Sequence, residues 1–207
     1  MKKVVLFVAI LMTTGLFAQS TNQILTKDAW VFGFGFTYPR LMSSPLEASD
    51  VNYGGFLSIQ KNFSEHTGLR LSGKLNHIEA EYNNPVITLT DDIISGNVDM
   101  LYYFVPCEPV SPYIVAGFGA IFYKPVNAPT PSLDEESFTD FQLNLGFGSE
   151  WRIGDSWRIK TELGYHTVSN SKIDGVYDGG NGLLGGNNDT YMSFDLGFLY
   201  YFGQGER

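Results

Sequence analysis

Apolar and polar residues alternate with a period of two along much of this chain. In residues 30–38, WVFGFGFTY, the aromatic side chains share one face, and Gly33, Gly35 and Thr37 lie on the other. This is the period of a β-strand, whose successive side chains point to opposite faces. The pattern predicts eight strands, within residues 30–38, 55–63, 68–76, 96–104, 112–123, 141–153, 157–166 and 193–202.

Short and long connections alternate between the predicted strands. The short ones are the tight turns SEHT (64–67), VPCEPV (105–110) and GDS (154–156). The long ones are rich in Pro, Gly, Asn, Asp and Ser and cover about residues 40–52, 79–92, 124–139 and 168–188. An up-and-down barrel with all its tight turns at one end and all its long loops at the other has this alternation.

The apolar faces are larger and more aromatic than one small protein core needs, since 15% of the residues are aromatic and only 17% are charged. Aromatic residues gather near the predicted strand ends, as in the girdles at membrane interfaces: Trp30, Tyr38, Phe63, Phe104, Trp151, Trp157 and Phe202. A soluble sandwich with the apolar faces inward is the alternative. We predict an all-β fold, an eight-stranded antiparallel up-and-down transmembrane β-barrel whose apolar faces contact lipid.

The first residues, MKKVVLFVAILMTTGLFAQS, have the pattern of a secretory signal peptide. Two lysines precede an apolar run that is shorter than the roughly 20 residues of a membrane-spanning helix, and Ala18 precedes the expected cleavage site. The predicted division is a signal peptide (1–18), an N-terminal periplasmic segment (19–29), the barrel (30–202) and a short C-terminal tail (203–207). The net charge of -9 argues against a nucleic-acid partner.

The end of the chain resembles the C-terminal signal by which outer-membrane barrels are recognised for assembly. A polar residue, a glycine and two spaced aromatic residues form this pattern here: Asp195, Gly197, Tyr200 and Phe202. Together with SPYIVAGFGAIFY and NLGFGSEWRIGDSWRIKTELGY, it resembles the small OmpA/OmpX-type outer-membrane β-barrel domains, notably those of Bacteroidetes. The resemblance implies location in the bacterial outer membrane. Because only residues 203–207 follow the last strand, the peptidoglycan-binding domain of full-length OmpA is not expected.

Charged residues lie on the predicted lumen faces, and their signs nearly cancel. They are Arg70, Lys74, Asp99, Glu150, Arg152, Arg158, Lys160, Glu162 and Asp195. Charges in a closed interior must pair, so we predict a salt-bridge network that plugs the lumen, with Arg152, Arg158, Glu150 and Glu162 converging near the GDS turn. The predicted function is non-enzymatic, structural or surface-interacting through four long extracellular loops. A narrow gated ion channel is one alternative.

A lipid A-modifying enzyme is the other alternative, because His166 and Ser169 are similar to the His-x-Ser-Asn motif of the small-barrel deacylases. The spacing differs by one residue and His166 is predicted to face the lumen, so we expect no catalytic site. No metal set and no cofactor are predicted, and the role of Cys107 stays open. The expected partners are outer-membrane lipids and lipopolysaccharide, the barrel-assembly machinery and an extracellular ligand at the loops, with a monomeric barrel.

Overall fold

The computed structural model describes residues 27–42, 47–48, 51–83, 86–170, 172–176 and 188–203, so the predicted signal peptide and most of the tail lie outside the described residues. In this part of the chain every regular element is a β-strand, and no helix is long and apolar enough to cross a membrane. The strands are β1 (Trp30–Leu41), β2 (Glu47–Ala48), β3 (Tyr53–Asn62), β4 (Thr67–Asn83), β5 (Val86–Tyr103), β6 (Val110–Tyr123), β7 (Pro125–Val126), β8 (Phe138–Arg152), β9 (Trp157–Val168) and β10 (Thr190–Phe202).

The eight long strands close into one antiparallel barrel. Each long strand pairs with the next long strand in sequence. The barrel closes at the seam between β1 and β10, which pair from Trp30↔Phe202 to Leu41↔Tyr191. The predicted up-and-down topology is therefore confirmed. Eight strands enclose an interior just wide enough for side chains to fill.

The two faces of the barrel wall have the reverse polarity of a soluble protein. Large apolar side chains point outward and are exposed, among them Phe36 at 78%, Leu75 at 62% and Leu145 at 60%. Polar and charged side chains point inward and are buried. Because exposed apolar area of this extent is unfavourable in water, this belt of outward side chains requires lipid. The soluble-sandwich alternative is wrong.

Glycines at the seam allow the strands to approach closely. Gly35 of β1 lies opposite Gly197 of β10, and both face the lumen. A Cβ atom on Gly35 would overlap the Leu196 carbonyl oxygen and the Gly197 Cα atom. The predicted placement of glycines on the interior face thus has a steric reason, since this part of the seam has no room for a side chain.

The connection predicted over residues 79–92 is mostly strand. β4 and β5 pair continuously from Thr67↔Tyr102 to Asn83↔Val86, well past the apolar belt. The short strand β2 pairs with the end of β4, and β7 pairs with β5. A four-stranded sheet in the order β2-β4-β5-β7, here called the extension, thereby projects from the barrel at the long-loop end.

Candidate functional site: a charged lumen closed at both ends

Eight of the nine predicted lumen charges are buried inside the barrel, four of each sign: Arg70, Lys74, Asp99, Glu150, Arg158, Lys160, Glu162 and Asp195. Arg152 is only half-buried, near the turn that joins β8 and β9, where it pairs with Arg158 along the backbone. Alternation along the strands therefore places these charges well, except at a strand end where the interior meets solvent.

Arg70 joins two carboxylates across the lumen. Its Nη1 and Nη2 atoms donate to both oxygens of Glu162, at 2.7 and 3.0 Å. Its Nη2 and Nε atoms also donate to Asp99 Oδ2, at 3.1 and 3.3 Å. Bidentate hydrogen bonds between a guanidinium group and a carboxylate are among the stronger charge-assisted hydrogen bonds, and they fix the relative orientation of both groups. Tyr113 donates a further hydrogen bond to Glu162 Oε2, at 2.7 Å.

Two lysines continue the network on the other side of Glu162. Lys160 Nζ contacts Glu162 Oε1 at 3.2 Å and Asp195 Oδ2 at 3.3 Å. Lys74 Nζ contacts the same Asp195 oxygen at 2.9 Å. Lys160 Nζ also lies 4.4 Å from the centre of the Phe56 ring, where a cation is attracted to the aromatic face.

Neutral groups complete a closed ring. Lys74 Nζ donates to Ser193 Oγ at 3.3 Å, and Ser193 Oγ lies 3.0 Å from His166 Nε2. His166 Nδ1 contacts Asn144 Oδ1 at 2.8 Å, and Asn144 Nδ2 donates to Asp99 Oδ1 at 3.2 Å. Since the Asn144 amide nitrogen is the donor to Asp99, its oxygen accepts from Nδ1–H of the histidine. We call this closed circuit, from Arg70 through Glu162, Lys160, Asp195, Lys74, Ser193, His166, Asn144 and Asp99 back to Arg70, the lumen ring.

The sequence analysis did not single out Ser193 and Asn144, two neutral members of the lumen ring. Ser193 and Asn144 lie on the polar faces of predicted strands, so alternation alone could have placed them inside. The sequence pattern does not show which groups they contact across the lumen. The tilt of the strands decides which residues lie at the same height along the barrel axis. His166 faces the lumen as predicted, and Ser169 is not its partner: the Ser169 hydroxyl accepts from Phe141 N–H instead.

A second charged cluster lies toward the short-turn end of the barrel. Glu150 accepts hydrogen bonds from the hydroxyls of Tyr103 and Tyr201 and lies 3.4 Å from Arg158 Nη1. The Arg158 guanidinium is 4.4 Å from the centre of the Tyr201 ring. The predicted convergence near the GDS turn therefore involves Glu150 and Arg158, while Glu162 reaches Arg70 deeper in the lumen.

Little space is left inside this network. The cavity enclosed between Arg70, Asp99, Asn144, Glu162 and His166 has a volume of about 10 Å³. A cavity of this volume has room for about one water molecule. Side chains fill this part of the lumen.

Apolar side chains cover the lumen ring at the long-loop end. The buried members of this mouth cluster are Leu41, Ile78, Ala80, Leu89, Ile93, Ile121, Tyr123, Val168, Ile173 and Tyr191. Ile173 comes from the segment after β9, and it is held in place because Asp189 Oδ2 accepts hydrogen bonds from the backbone N–H groups of Ile173 and Asp174. Residues 172–176 therefore fold inward over the mouth of the barrel.

Asp91 lies inside the extension beside the mouth cluster, beyond the apolar belt. It is buried, and its Oδ1 atom accepts a hydrogen bond of 2.9 Å from Lys124 N–H at the junction of β6 and β7. Burial raises the pKa of this carboxyl from 3.8 to about 7, against the opposing effect of that hydrogen bond. On the outer face of the extension, the hydrogen bond to Asp92 raises the pKa of His77.

We expect the Asp91→Asn variant to have a flatter dependence of stability on pH than the wild type. As the pH rises from 3.8 to about 7, the unfolded chain releases the Asp91 proton while the folded protein keeps it, so the wild type loses stability across this window. Urea unfolding in detergent at several pH values measures the difference. The exposed loop variant Glu136→Gln serves as the control. Parallel curves for Asp91→Asn and the wild type would contradict the expectation.

The four predicted assembly-signal residues occupy two different environments. Asp195 belongs to the lumen ring, and Gly197 faces Gly35 at the seam. Tyr200 and Phe202 point outward toward lipid, with their ring centres 6.2 Å apart.

Cys107 is buried in the turn between β5 and β6 at a positive φ of 65°. Among the described residues, no cluster of His, Cys, Asp and Glu has metal-binding geometry.

A closed eight-stranded barrel with an apolar exterior and a charged interior defines an integral outer-membrane β-barrel protein. The chain belongs to the outer membrane protein beta-barrel domain family, whose match covers residues 8–202. The predicted family resemblance and the predicted location in the bacterial outer membrane are thereby confirmed. No curated protein matches the chain.

Several solved structures share this fold. Ail of Yersinia pestis, in complex with the heparin analogue sucrose octasulfate, is 18% identical, with 85% of this chain and 99% of Ail covered and a TM-score of 0.55. OprG of Pseudomonas aeruginosa is 11% identical, with 87% and 98% covered and a TM-score of 0.56. Neisserial surface protein A is 12% identical, with 85% and 98% covered and a TM-score of 0.54. At these identities the likeness is one of fold.

Proposed function

We propose that this protein is a non-enzymatic, non-conducting outer-membrane barrel that acts in a structural or surface-interaction role through its long-loop end. The observation that carries the proposal is the lumen ring, whose ion pairs leave a cavity of only about 10 Å³ between them. A solute would have to separate buried ion pairs such as Arg70 and Glu162, which are 2.7 Å apart. Breaking a buried pair leaves an uncompensated charge and costs about 3–5 kcal/mol.

The surface available for interaction is the outer face of the extension, on the extracellular side. His77, Glu79 and Asp92 lie there, with His77 Nδ1 2.6 Å from Asp92 Oδ1 and the His77 ring stacked on Tyr53. This face is mostly acidic and so favours a cationic or neutral partner over a sulfated one such as the analogue bound to Ail. We further propose that outer-membrane lipids and lipopolysaccharide surround a monomeric barrel.

The wild-type protein is expected to give no steady conductance in planar bilayers, because the lumen ring and the mouth cluster fill the path. Single-channel recording tests this, with the same protein after boiling as the control for contaminating pores. Steady, charge-selective conductance that changes in Lys160→Gln would make the protein a channel. A lipid A acyl pattern altered by expression of the protein would make it an enzyme.

Labelling of intact cells tests whether the extension is displayed at the cell surface. A cysteine introduced at Thr88, on the exposed face of the extension, should react with a membrane-impermeant maleimide. Asp155→Cys is the control, because Asp155 is exposed in the GDS turn at the opposite end of the barrel and should remain unlabelled, while the native Cys107 is buried. Labelling of the Asp155→Cys site but not of the Thr88→Cys site would reverse the proposed orientation.

A further inference from the structure

An apolar groove of about 750 Å³ runs across the lipid-facing surface of the barrel. It lies between two adjacent rows of outward side chains. One row leads from Ile159 on β9 to Gly73 on β4, and the other leads from Leu196 on β10 to Ile94 on β5. The floor between the rows is the backbone of residues whose side chains point into the lumen, such as Lys74.

Two outward-facing glycines open the groove. Gly55 lies in one row and Gly73 in the other, and at both positions the lipid face has no side chain. A Cβ atom at Gly73 would have its nearest neighbour, the Ser95 carbonyl oxygen, at 3.9 Å, so a side chain would fit there without steric strain. The flanking Phe36 and Leu57 are 78% and 60% exposed and form high rims.

The dimensions of the groove match a single hydrocarbon chain. It crosses six neighbouring strands, which corresponds to a length of about 24 Å at the usual spacing between strands. Divided by this length, the groove volume of about 750 Å³ gives a mean cross-section of about 30 Å². A groove of this length and width suits one flexible chain.

The surroundings favour a lipid chain over a second copy of the protein. The groove lies wholly within the apolar belt, where its occupant gains only packing contacts, and its backbone groups are already paired in the sheet. The convex outer wall of another barrel would meet the rims at Phe36 and Leu57 before reaching the floor. At its β4–β5 end the groove stops just below His77 and Asp92, at the polar boundary on the long-loop side.

We propose that this groove binds one acyl chain of an outer-leaflet lipid, which enters at the β4–β5 end of the groove, where the apolar belt ends. The bound chain would fill the gap that the two glycines leave in the lipid-facing surface. This site is independent of whether the lumen conducts.

The test uses lipid A as the probe in native mass spectrometry of the full chain in detergent. Gly73→Leu places a side chain in the groove and should retain about tenfold less lipid A than the wild type, a factor that corresponds to about 1.4 kcal/mol. Gly55→Leu, with its nearest neighbour at 3.4 Å from the new Cβ atom, should act in the same direction.

Ala116→Leu is the matched control, because Ala116 also faces lipid, on β6, and does not line the groove. It should retain lipid A as the wild type does. Slower migration after boiling verifies that all variants are folded barrels. Equal retention of lipid A by the wild type and Gly73→Leu would overturn the proposal. Preferential retention of phosphatidylethanolamine, or a dimer that Gly73→Leu abolishes, would also overturn it.

Discussion

Glu162→Ala is expected to lower the free energy of unfolding by about 3–5 kcal/mol, the usual cost of removing one partner of a buried ion pair. Glu162 accepts two hydrogen bonds from Arg70, one from Lys160 and one from Tyr113. Its loss leaves the lumen ring with three cations and two carboxylates. Urea unfolding in lipid vesicles, followed by tryptophan fluorescence, measures the change.

A double variant that removes one cation and one carboxylate together tests whether the charges of the lumen ring stabilise each other. Arg70→Met combined with Glu162→Gln restores an equal number of charges, so the double variant should lose less stability than the sum of the two single variants. The exposed loop residue Glu136→Ala is the control and should have little effect. Additive losses would mean that the Arg70–Glu162 contact contributes nothing beyond its separate side chains.

Replacing Tyr200 and Phe202 together with alanine should reduce the amount of folded barrel in cells several-fold. Both side chains belong to β10 and lie opposite Phe32 and Trp30 across the seam that closes the barrel. Tyr200 also packs against Trp157, with ring centres 4.9 Å apart. If the terminal aromatic residues are the assembly signal, the barrel-assembly machinery will engage the variant poorly. Heat-modifiable mobility of outer-membrane fractions on detergent gels measures the folded amount.

A matched pair of aromatic residues separates recognition from simple loss of packing. Phe118 and Phe141 also face lipid and stack at 5.7 Å, but they lie on β6 and β8, far from the seam. Their double alanine variant should assemble normally. Refolding of both variants into detergent in vitro should be similar. If the Tyr200 and Phe202 variant fails equally in vitro, its defect is in packing at the seam and not in recognition.

The topology was readable from the chain because two independent signals agreed. The period of two in segments such as residues 30–38 marked the strands, and the alternation of short and long connections marked their order. The one clear error, the loop predicted over residues 79–92, arose from the polar residues of the extension. His77 to Tyr82 also alternate with a period of two, and the following Asn83-Asn84-Pro85 is a turn signal, so the hairpin was present in the pattern.

The sequence pattern predicted which residues face the lumen, but not which of them contact each other. Alternation placed Arg70, Lys74 and Glu162 on interior faces. It could not show that Arg70 reaches Glu162, which is 92 residues away in sequence. That contact depends on strand tilt and register around a closed barrel, and both are properties of the whole sheet. For the same reason, the inward turn that brings Ile173 into the mouth cluster was not expected.

The sequence by itself determined that this chain is an outer-membrane barrel, because a period of two fixes which side chains face lipid in every strand, whatever the partners of that strand are. Only the tertiary structure decided which interior groups meet, how the mouth is closed and where the lipid face has a groove. The closed lumen ring and the groove that runs from β9 to β5 are formed by residues far apart in sequence. Closure of the barrel brings such residues to the same height along the barrel axis, and a local sequence pattern does not show that height.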